Sequence, residues 1–351
     1  MKIVVNDIAA SQTGALAVLK SFYEYVKNHD KENEYVFLLS DKYIDETDRI
    51  KVIVCKDVKK SGLNKLRFDF ITGKKFISKL QPNYVLSLQN IITFGLKCRQ
   101  GVYVHQAIPF QNIKRFSFLK KSERVYAIYQ YLIGAIIKRS IKKCDDVFVQ
   151  TQWMKKSVAE MSDVSENKIQ VVPFEVSIEH REKTNSVNGA QFFYPAADEN
   201  VYKNQQCIYD ACETLQNNGI KGFEIALTLS AEGRKENSNI NYCGFLSKEK
   251  LFEYYKNAVL VFPSYIETVG IPLLEAKSVG GVIFAADCPY AHEVLGDYEN
   301  AYFFDPMSST ELAKLMRQSI VGKISLKNVE NVDVEEQKKS WQIVLNQIAK
   351  K

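Results

Sequence analysis

The sequence predicts an α/β protein made of two doubly wound, Rossmann-like domains facing each other across a cleft. Three observations carry that expectation. Short β-branched and aromatic runs alternate with longer amphipathic stretches almost from end to end, the pattern of parallel strands covered on both faces by helices. The alternation is interrupted once, near the middle of the chain. Finally, 351 residues is long for one core, at a prior of about 150 residues per domain.

In the first half the strand runs are "KIVV", "YVFLLS", "KVIVC", "YVLSL", "VYVHQ", "DVFVQT" and "IQVVP". Amphipathic stretches such as Ala15–His29 and Trp153–Met161 lie between them. The polar stretch 175–190, "EVSIEHREKTNSVNGA", has no helical or strand period and reads as a linker. The rhythm then restarts with "QFFYPA", "EIALTL", "INYCG", "VLVFPS", "VIFAA" and "AYFFDP". The expected domains are therefore 1–174 and 191–334, followed by a C-terminal helix in 335–351. In that helix Trp341, Val344 and Ile348 share helical spacing, and it is expected to pack back on the first domain.

Composition excludes several classes. With 46% hydrophobic and 25% charged residues, the chain has material for a core and no signature of disorder. The net charge of +6 hides an asymmetry. Residues 1–175 hold 29 Lys+Arg against 18 Asp+Glu, and the remainder 18 against 23. Different partners for the two halves follow. Seven scattered cysteines without a C-x-x-C, and only four histidines, read as buried thiols and give no metal-ligand spacing. "MKIVVNDIAA" is a strand opening rather than a secretory leader. The longest apolar run, Val125–Ile137, is short for a bilayer span and contains Gln130. A cytoplasmic location is expected, with the inner face of the cell membrane within reach of the basic first half.

The chemistry concentrates in Phe262–Gly281, "FPSYIETVGIPLLEAKSVGG". A buried strand runs into a loop, Pro272 suits a first helical turn, and the helix stops at Gly280-Gly281. Gly270 and Ile271 thus sit at a helix start beyond a strand's carboxyl end, where free N–H groups and the helix dipole favour a diphosphate. Taken alone, Glu267 and Glu275 would be surface acids complementing that dipole. No G-x-G-x-x-G follows any strand, which disfavours a dehydrogenase, and no nucleic-acid module is present.

In context this segment resembles family 4 of the retaining glycosyltransferases, the group 1 glycosyl transferases of GT-B-type fold, whose mark is two glutamates separated by seven residues. Here it reads "ETVGIPLLE", preceded by "FPS" and followed by "AKSVGGVIFAADCPYAHEVLGD" and "AYFFDP". "FFYPAADENVYKNQQCIYDA" resembles the opening of the family's second domain, placing Lys203 and Asn204 on its Lys-Asn pair. "YVHQAIPF" resembles the loop that brings a histidine, here His105, to the donor sugar, and "MKIVVNDIAASQTGAL" the first strand and its loop, with Thr13 and Gly14.

The resemblance implies a retaining transfer from a nucleotide-diphosphate sugar, with UDP or GDP as carrier, and no metal or further cofactor. His105, Glu267 and Lys203 would act at the reacting sugar and diphosphate. Glu275, Gly270, Ile271, Val269, Thr268 and Asn204 would bind the donor, with Glu275 on the ribose diol. The acceptor would be a glycan or a polyprenyl-diphosphate-linked glycan in surface polysaccharide synthesis. Two basic, aromatic-bearing clusters, Lys59–Phe76 and Lys114–Lys143, suit contact with an anionic membrane. Three departures matter: Ala197 stands where the family often has an arginine, Thr13-Gly14 stands where two glycines are common, and Thr268-Val269-Gly270 replaces a more usual Gly-Phe-Gly. The alternatives are a non-catalytic nucleotide-sugar-binding subunit and a nucleotide-sugar epimerase of the same architecture.

Overall fold

Each of the thirteen strand runs read from the sequence forms a strand in the computed structural model, and every neighbouring pair is parallel. The structure describes residues 1–10, 13–173, 184, 186–196, 198–234, 236–324, 326–327 and 340–350. Ala197 lies outside the described residues, as does most of the 175–190 stretch. The chain divides into two units, Met1–Glu175 with Gln337–Lys351, and Val176–Glu336. Among the described residues no helix is long and apolar enough to cross a membrane, and all seven cysteines are free.

The first sheet contains β1 (Lys2–Asp7), β2 (Glu34–Leu39), β3 (Ile50–Val54), β4 (Tyr84–Ser87), β5 (Arg99–Val104), β6 (Asp146–Val149) and β7 (Ile169–Val171). Its order is β3-β2-β1-β4-β5-β6-β7, so the winding reverses between β1 and β4. Because helices cover both faces, consecutive residues of a strand are buried, which is why these runs read as apolar rather than alternating. On one face the helix Thr13–His29 presents Leu19, Phe22 and Val26 to the sheet. On the other, Val4, Val36, Leu38 and Val85 pack with Phe68 and Ile77.

The second sheet contains β8 (Asn188–Tyr194), β9 (Glu224–Leu227), β10 (Ile240–Tyr242), β11 (Ala258–Phe262), β12 (Ile283–Ala286) and β13 (Ala301–Phe304), in the order β10-β9-β8-β11-β12-β13. Its winding reverses between β8 and β11. One boundary needs correction. The strand begins at Asn188, inside the expected 175–190 linker. Its "NGA" opening carries no β signal for a packing reason: a Cβ on Gly189 would stand 2.7 Å from the Ser319 carbonyl oxygen. Close approach of the helix Ser309–Ile320 demands glycine there.

The helix Ser340–Ala349 belongs to the first unit. Trp341 inserts its ring 5.0 Å from Phe22 and 5.3 Å from Tyr103, centroid to centroid, and its indole N–H donates to Ser21 Oγ at 2.7 Å. Val344 and Ile348 complete the buried stripe. At the far end Gln347 donates to Asp146 Oδ1 at 2.7 Å. The other oxygen of Asp146 accepts from Tyr84 at 2.7 Å and Arg99 at 2.9 Å. The first unit's core is thus closed by residues more than three hundred positions from its first strand. Trp341→Ala should destabilise this unit by about 3–5 kcal/mol, read as a lowered midpoint in urea unfolding. An unchanged midpoint would mean the helix is not part of the core.

Candidate active site

Ligands of doubly wound sheets bind outside the carboxyl ends of the strands where the winding reverses. In the second unit that place lies beyond β8 and β11, and the loops there are tied together by their own polar groups. After β8 a short turn, Val201–Lys203, ends at Asn204 in the left-handed conformation (φ 58°). The Asn204 side-chain amide donates to the Pro263 carbonyl at 3.2 Å and the Pro306 carbonyl at 2.7 Å. One side chain therefore holds the loops after β8, β11 and β13. Tyr265 N–H donates to the Tyr202 carbonyl at 3.0 Å, and Tyr194 O–H donates to the Lys203 carbonyl at 3.0 Å. Loop backbone buried at a strand end needs such partners, since each unmet group costs about 1–3 kcal/mol.

This scaffold aims Lys203 at Glu267. The ammonium lies 2.6 Å from Glu267 Oε1, and both side chains are about one-sixth exposed. The same oxygen accepts from Ser264 Oγ at 2.8 Å. Ser264 is fully buried, and its carbonyl accepts from the buried Tyr290 O–H at 2.5 Å. The sequence reading gave Lys203 and Glu267 separate ligand groups; the structure pairs them with each other. An incoming phosphate would compete with Glu267 for this lysine.

Beyond Glu267 the chain turns through Gly270 (φ 78°) into the helix Ile271–Ser278, with Pro272 in its first turn. A Cβ on Gly270 would meet the Tyr290 ring at 3.0 Å, so sterics and backbone conformation both require glycine. Glu275, half-buried, accepts from Tyr255 O–H at 2.9 Å through Oε2. That bond and the carboxylate's charge, with burial as the larger cause, hold the Tyr255 phenol well above its usual pKa. Thr268 and Ile271 are half-buried, whereas Val269 is buried. Of Val269, then, only the backbone is placed to meet a ligand. Asn204 has its amide engaged by protein carbonyls, which makes it a positioning residue for Lys203.

Three expected residues lie in the first unit. His105 follows β5, with its backbone N–H donating to Asn90 Oδ1 at 2.7 Å. Burial pushes its imidazole down to about 4, against a small opposing effect from the Leu88 carbonyl; the ring is neutral at pH 7. Thr13 and Gly14 open the helix Thr13–His29, and a Cβ on Gly14 would meet nothing within 4 Å.

At the first sheet's own reversal, between β1 and β4, the structure shows polar residues that the sequence reading passed over. Asn6 Oδ1 and Asp7 Oδ2 are buried with no hydrogen-bond partner among the described residues. Asn6 donates to Thr93 Oγ1 at 3.3 Å across the reversal. Gln89 joins Ala9 N–H, at 3.2 Å, to the buried Asp69 carboxylate, at 3.4 Å, and Asp69 pairs with Lys65. Burial raises the Asp7 carboxyl to about 7, opposed by Lys65 and Lys59. The available signal was "IVVND", two polar residues closing an otherwise apolar strand.

Residues 178–331 match the family model described as glycosyl transferases group 1. The matched stretch spans nearly the whole second unit, which is therefore similar to the glycosyl transferases of group 1. The matched stretch contains Lys203, Asn204, Ser264, Glu267, Gly270 and Glu275. Among relatives, the O-antigen chain mannosyltransferase RfbU of Salmonella typhimurium is 26% identical over 277 residues, 70% of this chain and 75% of its own. Among solved structures, WaaG, a glycosyltransferase involved in lipopolysaccharide biosynthesis, aligns with a TM-score of 0.69 at 14% identity over 100% of both chains. Anabaena HepE in complex with UDP-glucose aligns at 0.63 and 15% identity, over 99% of this chain and 98% of its own. These structures share the GT-B-type fold of two Rossmann-like domains.

The pH dependence of stability should reveal Asp7. Its folded pKa, about 7, lies above the ordinary value of 3.8. Between the two the folded chain keeps a proton that the unfolded chain releases. This contribution to stability is therefore full below pH 4 and is lost as pH rises to 7. Relative to wild type, Asp7→Asn should gain melting temperature progressively from pH 4 to pH 8. A constant difference across that range would show that Asp7 is ionised throughout.

Proposed function

We propose that the protein transfers a sugar from a nucleotide-diphosphate sugar, with retention at the anomeric carbon, to a glycan or polyprenyl-diphosphate-linked glycan in surface polysaccharide synthesis. The observation that carries this reading is the Lys203–Glu267–Ser264 cluster at the sheet reversal, beside the helix start at Gly270 and with Glu275 one turn inside that helix. The mannosyltransferase relative and the UDP-glucose complex of a fold neighbour support the substrate class.

The chemistry follows from where charge develops. As the anomeric C–O bond breaks, negative charge gathers on the leaving diphosphate, and preorganised positive groups lower that barrier. Lys203 would move from Glu267 Oε1 to a phosphate oxygen. The N–H groups and dipole at the start of the helix Ile271–Ser278 add partial positive charge. Glu267, released from the lysine and still held by Ser264, is then free to accept from sugar hydroxyls. Glu275, oriented by Tyr255, suits a neutral ribose diol. Because Lys203 begins in an ion pair, its full effect is felt only once the diphosphate has arrived.

The test is thermal denaturation with UDP, GDP, ADP, dTDP and CMP in turn. The cognate diphosphate at about 100 times its dissociation constant should add roughly 2.7 kcal/mol, and Glu275→Ala should remove that shift. With the cognate donor, Lys203→Met should lower turnover by about 10²–10³-fold. Stabilisation by none of the nucleotides would leave a non-catalytic subunit as the better reading.

A further inference from the structure

At the amino ends of the first sheet a cavity of about 360 Å³ opens where β1, β2 and β3 begin. The loops described above leave the carboxyl ends of these parallel strands, so the cavity lies at the other end of the sheet. Register decides what lines it. Lys2 stands beside Glu34 on the neighbouring strand, and Val36 beside Lys51. Because side chains alternate along each strand, Lys2, Glu34, Val36, Lys51 and Ile53 share one face. On that face Val36 is buried in the core cluster around Val4 and Phe68, and Ile53 and Leu80 pack against it. Lys79 and Leu80 follow the helix Gly73–Ser78, and Asp48 and Arg49 precede β3.

The charges of the lining do not cancel. Lys2, Arg49, Lys51 and Lys79 stand against only two carboxylates, Glu34 and Asp48. None of the six makes an ion pair among the described residues, although Lys2 and Glu34 are neighbours in register. Arg49 donates to the Asp30 carbonyl, which takes up none of its charge. Inorganic phosphate would use the cations but leave the carboxylates without donors and the apolar wall uncovered. A neutral sugar would use the carboxylates and leave the cations. A sugar carrying a phosphate monoester uses all three. Its phosphate oxygens accept from lysine and arginine, its hydroxyls donate to Glu34 and Asp48, and its C–H face lies on Ile53 and Leu80. The cavity is also of small-molecule size, within the usual range of about 300–1,000 Å³.

We infer that this cavity binds a sugar monophosphate, at a site of its own. The length of β1 separates Lys2 in the cavity from Asp7 at the polar reversal, about 16 Å at 3.3 Å per residue. One such ligand does not span both. The inference goes beyond donor recognition and does not depend on it, since none of the residues proposed to meet the nucleotide sugar lines the cavity. A failure here leaves the nucleotide-induced stabilisation untouched, and the converse also holds.

The experiment is isothermal titration of the full chain with glucose 1-phosphate, glucose 6-phosphate and mannose 1-phosphate, beside inorganic phosphate and free glucose. At least one of the esters should bind about tenfold or more tightly than inorganic phosphate, and glucose should not bind. Excess UDP or GDP, and the variant Glu275→Ala, should leave that affinity unchanged. The double variant Lys2→Glu, Lys51→Glu should weaken it by about tenfold or more. Lys51→Gln, Lys79→Gln, at two exposed positions, serves the same purpose should the first variant lose its native circular dichroism. Glu34→Gln with Asp48→Asn should bring the ester's affinity down towards that of inorganic phosphate. Binding of none of the esters would overturn the inference. So would equal affinity for inorganic phosphate, displacement by UDP or GDP, or wild-type affinity in a folded lysine variant.

Discussion

The site of the second unit depends on the Asn204 amide. Three loops leave the carboxyl ends of β8, β11 and β13, and that side chain donates to carbonyls on two of them from its place on the third. The left-handed backbone at Asn204 carries a strain cost, which the two hydrogen bonds offset. With the loops fixed, the Tyr202 carbonyl accepts from Tyr265 N–H, and Lys203 reaches Glu267. The Lys203–Glu267 contact is a consequence of backbone satisfaction.

That contact also sets the electrostatics of the resting site. Lys203 and Glu267 are mostly withdrawn from water, and an isolated charge there would be costly. Pairing them keeps this part of the site near neutral. Under the proposed donor binding, a diphosphate would take the lysine and free the carboxylate, so one displacement would prepare both groups. Ser264, which donates to the shared oxygen, would hold it in place.

The first unit follows a different logic at its own reversal. There the buried carboxyl of Asp7 has one oxygen without a partner among the described residues, and Asp69 is matched by Lys65. Desolvation favours the neutral acid at Asp7 and the neutral imidazole at His105. The same burial thus leaves a proton on one group and keeps it off the other. Away from these strand ends, the unit exposes apolar and basic side chains along its β3 edge.

What the sequence determined by itself was periodic or local. Thirteen β-branched or aromatic runs became thirteen parallel strands, because a strand buried on both faces must be apolar along its length. Pro272 and Gly270 marked a helix start that a glycine must open, and the spacing of Glu267 and Glu275 pointed to the candidate site. Tertiary structure decided what depends on distant partners. Lys203 and Glu267 are 64 positions apart, Asn204 and Pro306 are 102 apart, and Trp341 bonds a serine 320 residues earlier. The sequence reading likewise missed the strand opening at Gly189, where a helix from elsewhere in the chain demands glycine, and the burial of Asp7. Periodicity records which side of an element faces inward. It does not record which residue waits there, and in this chain that residue decides whether a polar group is a ligand, a clip or an unpartnered acid.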